Sequence, residues 1–213
     1  MQDLKIALIG ATGKAGIYIL KALLAQQFRV KALIRNPEKL QIHHASLEIV
    51  IGDVKDTETV HALIEGCDIV VSALGMGQPA SEKTIFTQST GNIIKAMKAI
   101  HLRRYIVITG INVDTPADEK DAKTQFATKW MYDNYPVSTA DRQKEYNLLT
   151  ESDLDWTLIR LPLIMQTDEQ TPVGTSLVNC DGEQINAANL AQFIVEQLGE
   201  TTFVKQAPFI WNS

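Results

Sequence analysis

Apolar residues recur along the chain in two rhythms that take turns. Leu4-Lys-Ile-Ala-Leu-Ile9, Arg29-Val-Lys-Ala-Leu-Ile-Arg35, Leu47-Glu-Ile-Val-Ile51, Asp68-Ile-Val-Val-Ser-Ala73, Arg104-Tyr-Ile-Val-Ile-Thr109 and Trp156-Thr-Leu-Ile-Arg160 are short and rich in branched side chains. Turn residues such as Asn36-Pro37, Gly52-Asp53, Leu74-Gly-Met-Gly77, Gly110 and Pro162 stop them, so they read as six strands. Helical spacing fills the gaps. It appears at Ile17, Leu20, Leu23 and Leu24, and at Val60, Leu63 and Ile64 within Thr57 to Glu65. A longer helical pattern runs from about Thr84 to Ile100, and another spans Thr139 to Glu151. The stretch 118–133 is polar and helix-prone, closed by Tyr135-Pro136. Beyond the sixth strand the chain is less regular, with a helix near Ala188–Leu198 and short apolar runs at 202–204 and 208–211.

Strands alternating with helices predict βαβ units and a parallel sheet. The strand runs are nearly continuous in apolar residues, as strands covered on both faces require. The simplest architecture is an α/β, Rossmann-type doubly wound sheet in the order 3-2-1-4-5-6. Residues 1–213 are expected to form one such domain, with 166–189 as a possible substrate cap because it follows the last core strand.

Composition narrows the class. The chain has 213 residues, 45% hydrophobic and 21% charged, the make-up of an ordinary globular protein. A net charge of −5 disfavours nucleic acid as a partner. No apolar stretch approaches the ~20 residues of a membrane span, and no signal-peptide pattern precedes the first strand. Two cysteines, Cys67 and Cys180, suggest neither a disulfide framework nor a metal site. His43 and His44 are adjacent, His61 lies on a helical pattern and His101 at a helix end, so no convergent metal ligands are expected. The expectation is a cytoplasmic protein without metal.

Gly10-Ala-Thr-Gly13-Lys-Ala-Gly16 lies between the first strand and the first helix. That context turns a glycine motif into a dinucleotide-binding hypothesis. Gly10 permits a tight exit from the strand. Gly13 lets the backbone approach a pyrophosphate. Gly16 lets the helix pack on the sheet, and the helix start offers N–H groups to phosphate. Arg35, at the end of the second strand, stands where an acid would bond the ribose of NAD, and an arginine there suits the 2′-phosphate of NADP. Lys14 or Lys39 would add charge. Asp53 stands near the expected adenine site, or is a helix N-cap or turn aspartate. Ala73, Leu74 and Gly75 end the fourth strand and are placed to line the cofactor's ribose. Thr109 and Arg160 end strands at the same carboxyl edge, which makes the Thr109 hydroxyl a candidate for the nicotinamide region.

These residues together resemble the atypical short-chain dehydrogenase/reductases, in their small NAD(P)H-binding, NmrA-like branch. The matches are Gly10-Ala-Thr-Gly-Lys-Ala-Gly16, Leu33-Ile-Arg-Asn-Pro-Glu-Lys39, Gly52-Asp-Val54 and Leu154-Asp-Trp-Thr-Leu-Ile-Arg160 with Pro162. The resemblance implies NADP held at Thr12, Gly13, Lys14, Arg35, Asp53, Val54, Ala73, Gly75, Thr109 and Pro162. It also implies a monomer or loose homodimer and a kinship with small flavin and biliverdin reductases. Two departures matter. No tyrosine has a lysine four residues on, so the superfamily's usual Tyr-x-x-x-Lys acid is absent. In the flavin and biliverdin reductases a histidine is expected just after the proline that ends the sixth strand, and here Leu163 stands there. Thr109, Lys144 and Tyr132 are the candidate catalytic residues, with Tyr135 nearby.

The leading expectation is an NADPH-dependent oxidoreductase that passes hydride to a small electrophile such as a flavin or quinone, which needs little acid help. The alternative is a non-catalytic NADP(H) redox sensor acting through a protein partner. A nucleotide-sugar isomerase or epimerase fits less well, because those enzymes use the missing tyrosine.

Overall fold

The computed structural model describes residues 4–77 and 80–212. The first five strands are β1 (Lys5–Ile9), β2 (Arg29–Ile34), β3 (Leu47–Ile51), β4 (Ile69–Ser72) and β5 (Arg104–Gly110). After them come β6 (Asp155–Leu161), β7 (Leu163–Met165), β8 (Val173–Ser176), β9 (Gln184–Asn186) and β10 (Phe209–Asn212). The helices are α1 (Gly16–Ala25), α2 (Thr57–Ile64), α3 (Ile85–Ala99), α4 (Ala122–Asn134), α5 (Pro136–Thr150) and α6 (Ala187–Gln197). The main sheet has the order β3-β2-β1-β4-β5-β6-β10-β8. Its first six strands are parallel and follow the order that the pattern of apolar runs predicts. The doubly wound Rossmann-type expectation is met.

Strand periodicity explains the two cores. Successive side chains on a strand point to opposite faces. Ile6 and Leu8 of β1, Ile106 and Ile108 of β5, and Ile159 and Leu161 of β6 join one buried cluster with α1 and α6. Ala7 and Ile9, Tyr105 and Val107, and Trp156 and Leu158 join the other, with α2, α3 and α5. Every strand of the sheet's centre is thus covered twice, which accounts for the absence of polar alternation in its sequence.

The C-terminal part extends the sheets. Residues 166–189 supply β8, which pairs antiparallel with β10 in the main sheet, and β9, which pairs with β7. The apolar run 208–211 falls in β10, whereas 202–204 is a turn that packs Phe203 on Phe193. Arg160 ties this region down. It is fully buried, its Nη1 meets Asp118 Oδ1 at 2.7 Å, and its Nε donates to the Ala207 carbonyl at 2.8 Å. Nη2 donates to Leu177 O at 3.1 Å, and the guanidinium lies 3.5 Å from the Phe209 ring centroid. Arg160 therefore clamps loops instead of facing a ligand at the sheet edge.

Helix α5 starts at Pro136, ahead of the expected Thr139, because proline suits the first helical position, where no N–H partner is needed. Its Asp141 is buried and accepts hydrogen bonds from Phe86 N (2.8 Å) and Thr87 N (3.2 Å), which caps α3 from a neighbouring helix. No sequence-local residue does so.

Candidate functional site

A cavity of about 840 Å3 runs along the carboxyl ends of the parallel strands. That edge is where open α/β sheets bind ligands, and the volume suits a large organic molecule. The glycine turn forms its floor. Gly10 has φ +81°, and a Cβ there would lie 2.5 Å from the Ala73 carbonyl oxygen. A Cβ on Gly16 would come within 1.9 Å of the Gly10 carbonyl oxygen, so helix and turn approach as only glycine allows. Gly13 differs: its Cβ would meet only Gly10 O, at 3.2 Å, and otherwise open space. No side chain caps the first turn of α1, whose N-terminus follows directly.

Of the residues expected to hold a dinucleotide, Gly10, Thr12, Gly13, Lys14, Arg35, Asp53, Val54, Ala73, Leu74, Gly75, Thr109 and Pro162 line this cavity. Gly16 lies beneath it, as a packing position. Arg35 is exposed, and its Nη1 donates to Ser81 Oγ at 3.1 Å. Asp53 accepts from Lys55 N with Oδ1 (2.9 Å), a turn contact, while it also lines the cavity. Asp56, not Asp53, is the cap of α2.

The catalytic candidates separate. Thr109 lines the cavity, is 5% exposed, and its hydroxyl has no partner among the described residues. A buried hydroxyl without a partner is costly unless a ligand supplies one. Lys144 is exposed on α5 and does not line the cavity. Tyr132 on α4 and the exposed Tyr135 do not line it either. Helix period explains this: α5 turns Arg142 towards the strand ends and carries Lys144 away. Leu163 is exposed and also outside the lining, where Pro162 and Ile164 on either side of it take part.

Met76, Ser81, Ile85, Arg142 and Ile164 line the cavity as well. Arg142 is the consequential one. Its Nη2 donates to Leu74 O at 2.6 Å and its Nη1 to Glu145 Oε2 at 2.7 Å and Ile108 O at 3.3 Å. Burial pushes the Glu145 carboxyl upward, against the lowering pull of Arg142. The sequence held no signal for this: an arginine in a polar helix is usually a solvated residue.

The residues fit a dinucleotide by their own chemistry: a bare glycine turn under a helix start, cations at the β2 end, and an unpartnered hydroxyl at the β5 end. A family model described as NAD(P)H-binding matches residues 10–201. The chain belongs to that NAD(P)H-binding family.

Among relatives, phenylcoumaran benzylic ether reductase IRL1 of Ginkgo biloba is 32% identical over 140 residues, covering 61% of this chain and 43% of that protein. The photosystem II assembly factor Ycf39 of Cyanophora paradoxa is 23% identical, across 99% of this chain and 65% of that protein. The chain thus spans less than two thirds of either relative. A short-chain dehydrogenase/reductase of Veillonella parvula, solved in complex with NADP, shares the fold with a TM-score of 0.81 at 18% identity, over 98% of this chain and 94% of that one. The anaerobilin reductase ChuY of Escherichia coli O157:H7 shares it with a TM-score of 0.79 at 18% identity, over 98% and 97%. No helix among the described residues is long and apolar enough to cross a membrane.

Proposed function

We propose that the chain is an NADPH-dependent reductase that passes hydride to a small electrophile such as a flavin or quinone. The observation that carries this reading is the single cavity wall joining the glycine turn and Arg35 to the unpartnered Thr109 hydroxyl. Relatives named as reductases support it, and so does the family's NAD(P)H-binding description.

When bound, the dihydronicotinamide supplies a hydride to the acceptor. The chain's own residues do the rest. Gly13 and the start of α1 take the diphosphate, where a side chain would block approach and helix N–H groups attract negative charge. Arg35, with Lys14 and Lys39 on the same wall, takes the 2′-phosphate that distinguishes NADP from NAD. Asp53 and Val54 flank the adenine. Thr109 donates a hydrogen bond to an electronegative atom of the acceptor. The walls of Leu74, Met76, Ile85 and Leu161 exclude water from the transfer. Arg142 is the one ionisable side chain among the described residues lining the β4–β6 half. The reduced acceptor therefore takes its proton from solvent after it leaves these walls, which flavins and quinones tolerate. The reading includes a small-molecule substrate, no nucleic-acid partner, and a cytoplasmic monomer or loose homodimer.

Replacing Arg35 by Asp tests the cofactor assignment. Charge-assisted hydrogen bonds contribute about 1.5–3 kcal/mol, so NADPH affinity should fall about 10- to 100-fold while NADH affinity changes little. Equal loss for both refutes the assignment. A second reading, an NADP(H) sensor that engages a protein partner, draws support from the relative named as an assembly factor and from the absence of an acidic side chain among the described residues lining the β4–β6 half. Tight NADPH binding with no oxidation across a panel of flavins, quinones and aldehydes would favour it.

A further inference from the structure

We propose that Arg142 is the anion anchor of the acceptor site, selecting hydride acceptors that carry a carboxylate on an otherwise apolar body. The inference rests on reading the cavity as a dinucleotide-linked reductase site.

Position comes first. Arg142 bonds the carbonyls of Leu74 and Ile108, at the carboxyl ends of β4 and β5. Arg35 ends β2, and the order β2-β1-β4-β5 puts two to three strand spacings between them, about 10–14 Å. Arg142 is therefore not part of the 2′-phosphate site. It stands beside Thr109, at the end where hydride would leave the cofactor. The other charged residues of the lining, Lys14, Arg35, Lys39 and Asp53, belong to the glycine turn and to the β2 and β3 ends.

Preorganisation follows. The guanidinium carbon lies 3.4 Å from the Phe86 ring centroid, and Glu145 holds Nη1 at 2.7 Å. Glu145 is 1% exposed, and its other oxygen accepts from Thr90 Oγ1 at 2.8 Å. The arginine is thus stacked and anchored before any ligand arrives, so little side-chain entropy is lost on binding.

Unfilled capacity decides the ligand. A guanidinium has five N–H donors and no acceptor. Leu74 O, Ile108 O and Glu145 Oε2 take three of them. Nε–H and one Nη2–H have no acceptor among the described residues, and spare guanidinium N–H groups make strong charge-assisted bonds to a carboxylate. The neighbouring Thr109 hydroxyl is buried and unpartnered too. Around these donors the wall is apolar: Met76, Ile85, Leu161 and Ile164. An apolar body with one acidic group satisfies both features.

Benzoate and its neutral isostere benzamide are the probes, titrated calorimetrically into the full chain with and without saturating NADP+. Benzoate should bind at least about tenfold more tightly than benzamide, the yield of one or two charge-assisted bonds. Arg142→Gln should remove that preference, Arg142→Lys should keep part of it, and neither should change NADPH affinity. Because Arg142→Gln leaves Glu145 unpaired in the interior, Arg142→Gln/Glu145→Gln is the matched variant that keeps the fold while losing the anchor. Equal binding of the two probes, or unchanged benzoate affinity in the double variant, overturns the proposal. So does a fall in NADPH affinity parallel to that for benzoate, which would make Arg142 a cofactor contact. Failure of the wild-type chain to bind NADPH would refute the reductase reading alone, and the probe preference without cofactor would still decide the anchor.

Discussion

Replacing Gly16 by Ala should separate stability from cofactor binding. The new Cβ would lie 1.9 Å from the Gly10 carbonyl oxygen and 2.7 Å from its carbon. Non-bonded carbon atoms settle at about 3.5–4.0 Å, and carbon–oxygen pairs a few tenths closer, so α1 must withdraw by more than about 1 Å. The obstacles are backbone atoms of the turn, and no rotamer change removes them. Behind α1 lies α6, packed in the same buried cluster, which resists the shift because interiors are as dense as organic crystals. Overpacking of this kind costs about 1–3 kcal/mol. For a chain of this size, each kcal/mol lowers Tm by about 2–4 °C, so the expected fall is about 2–12 °C. Gly13→Ala is the control. Its Cβ meets one oxygen at 3.2 Å and otherwise projects into open space beside the diphosphate path. That variant should melt near wild type and bind NADPH much more weakly. Thermal melts by circular dichroism and NADPH fluorescence titrations read the two quantities. A Gly16→Ala protein that melts with wild type would refute the close-approach argument. A Gly13→Ala protein with unchanged NADPH affinity would refute the placement of the diphosphate.

Arg160→Met should destabilise the fold by about 3–5 kcal/mol in urea titrations, because it takes from the largely buried Asp118 its nearest cation, leaving it Lys120 at 3.5 Å, and releases the loops that Arg160 bonds. A change under about 1 kcal/mol would show that the clamp is dispensable. Burial pushes the thiols of Cys67 and Cys180 up to about 11, so neither should react with a thiol reagent at pH 7.5 until denaturant is added. Rapid native labelling would contradict their burial. The hydrogen bond from Arg103 Nε, at 3.0 Å, holds the Asp155 carboxyl below its ordinary value. A lowered acid stabilises the fold above its unfolded pKa, and that contribution disappears as pH falls through the folded one. Asp155→Asn should therefore flatten the loss of stability below about pH 4, near the ordinary aspartate value; an identical acid limb would remove Asp155 from the account.

The strands and most helices were legible because burial on both faces of a parallel sheet demands continuous apolar runs, and each run is punctuated by glycine, proline or asparagine. The glycine turn was legible because each of its outer glycines meets a backbone contact that a Cβ would obstruct: Ala73 O for Gly10 and Gly10 O for Gly16. Less legible was the C-terminal third. β10 is four residues long and β8 joins it from a distant segment, so their pairing depends on contacts such as Arg160 with Ala207 and Leu177. Such contacts have no local period.

The same division holds in the cavity. Arg35, Asp53 and Thr109 were found because each ends a strand, and strand ends in this architecture share one edge. Lys144 and Tyr132 were named for their chemistry, yet the structure leaves both outside the lining. Arg142, which lines it, carried no mark in the sequence. The amino-acid sequence alone determined the alternation of elements, the order of six strands and the glycine turn, because these follow from local sterics and apolar periodicity. Tertiary structure decided which side of α5 meets the strand ends. That choice depends on how α5 packs against α3 and caps it through Asp141, and on the ring of Phe86 that receives the Arg142 guanidinium. Those partners are more than 50 residues apart in the chain and meet only when the layers close.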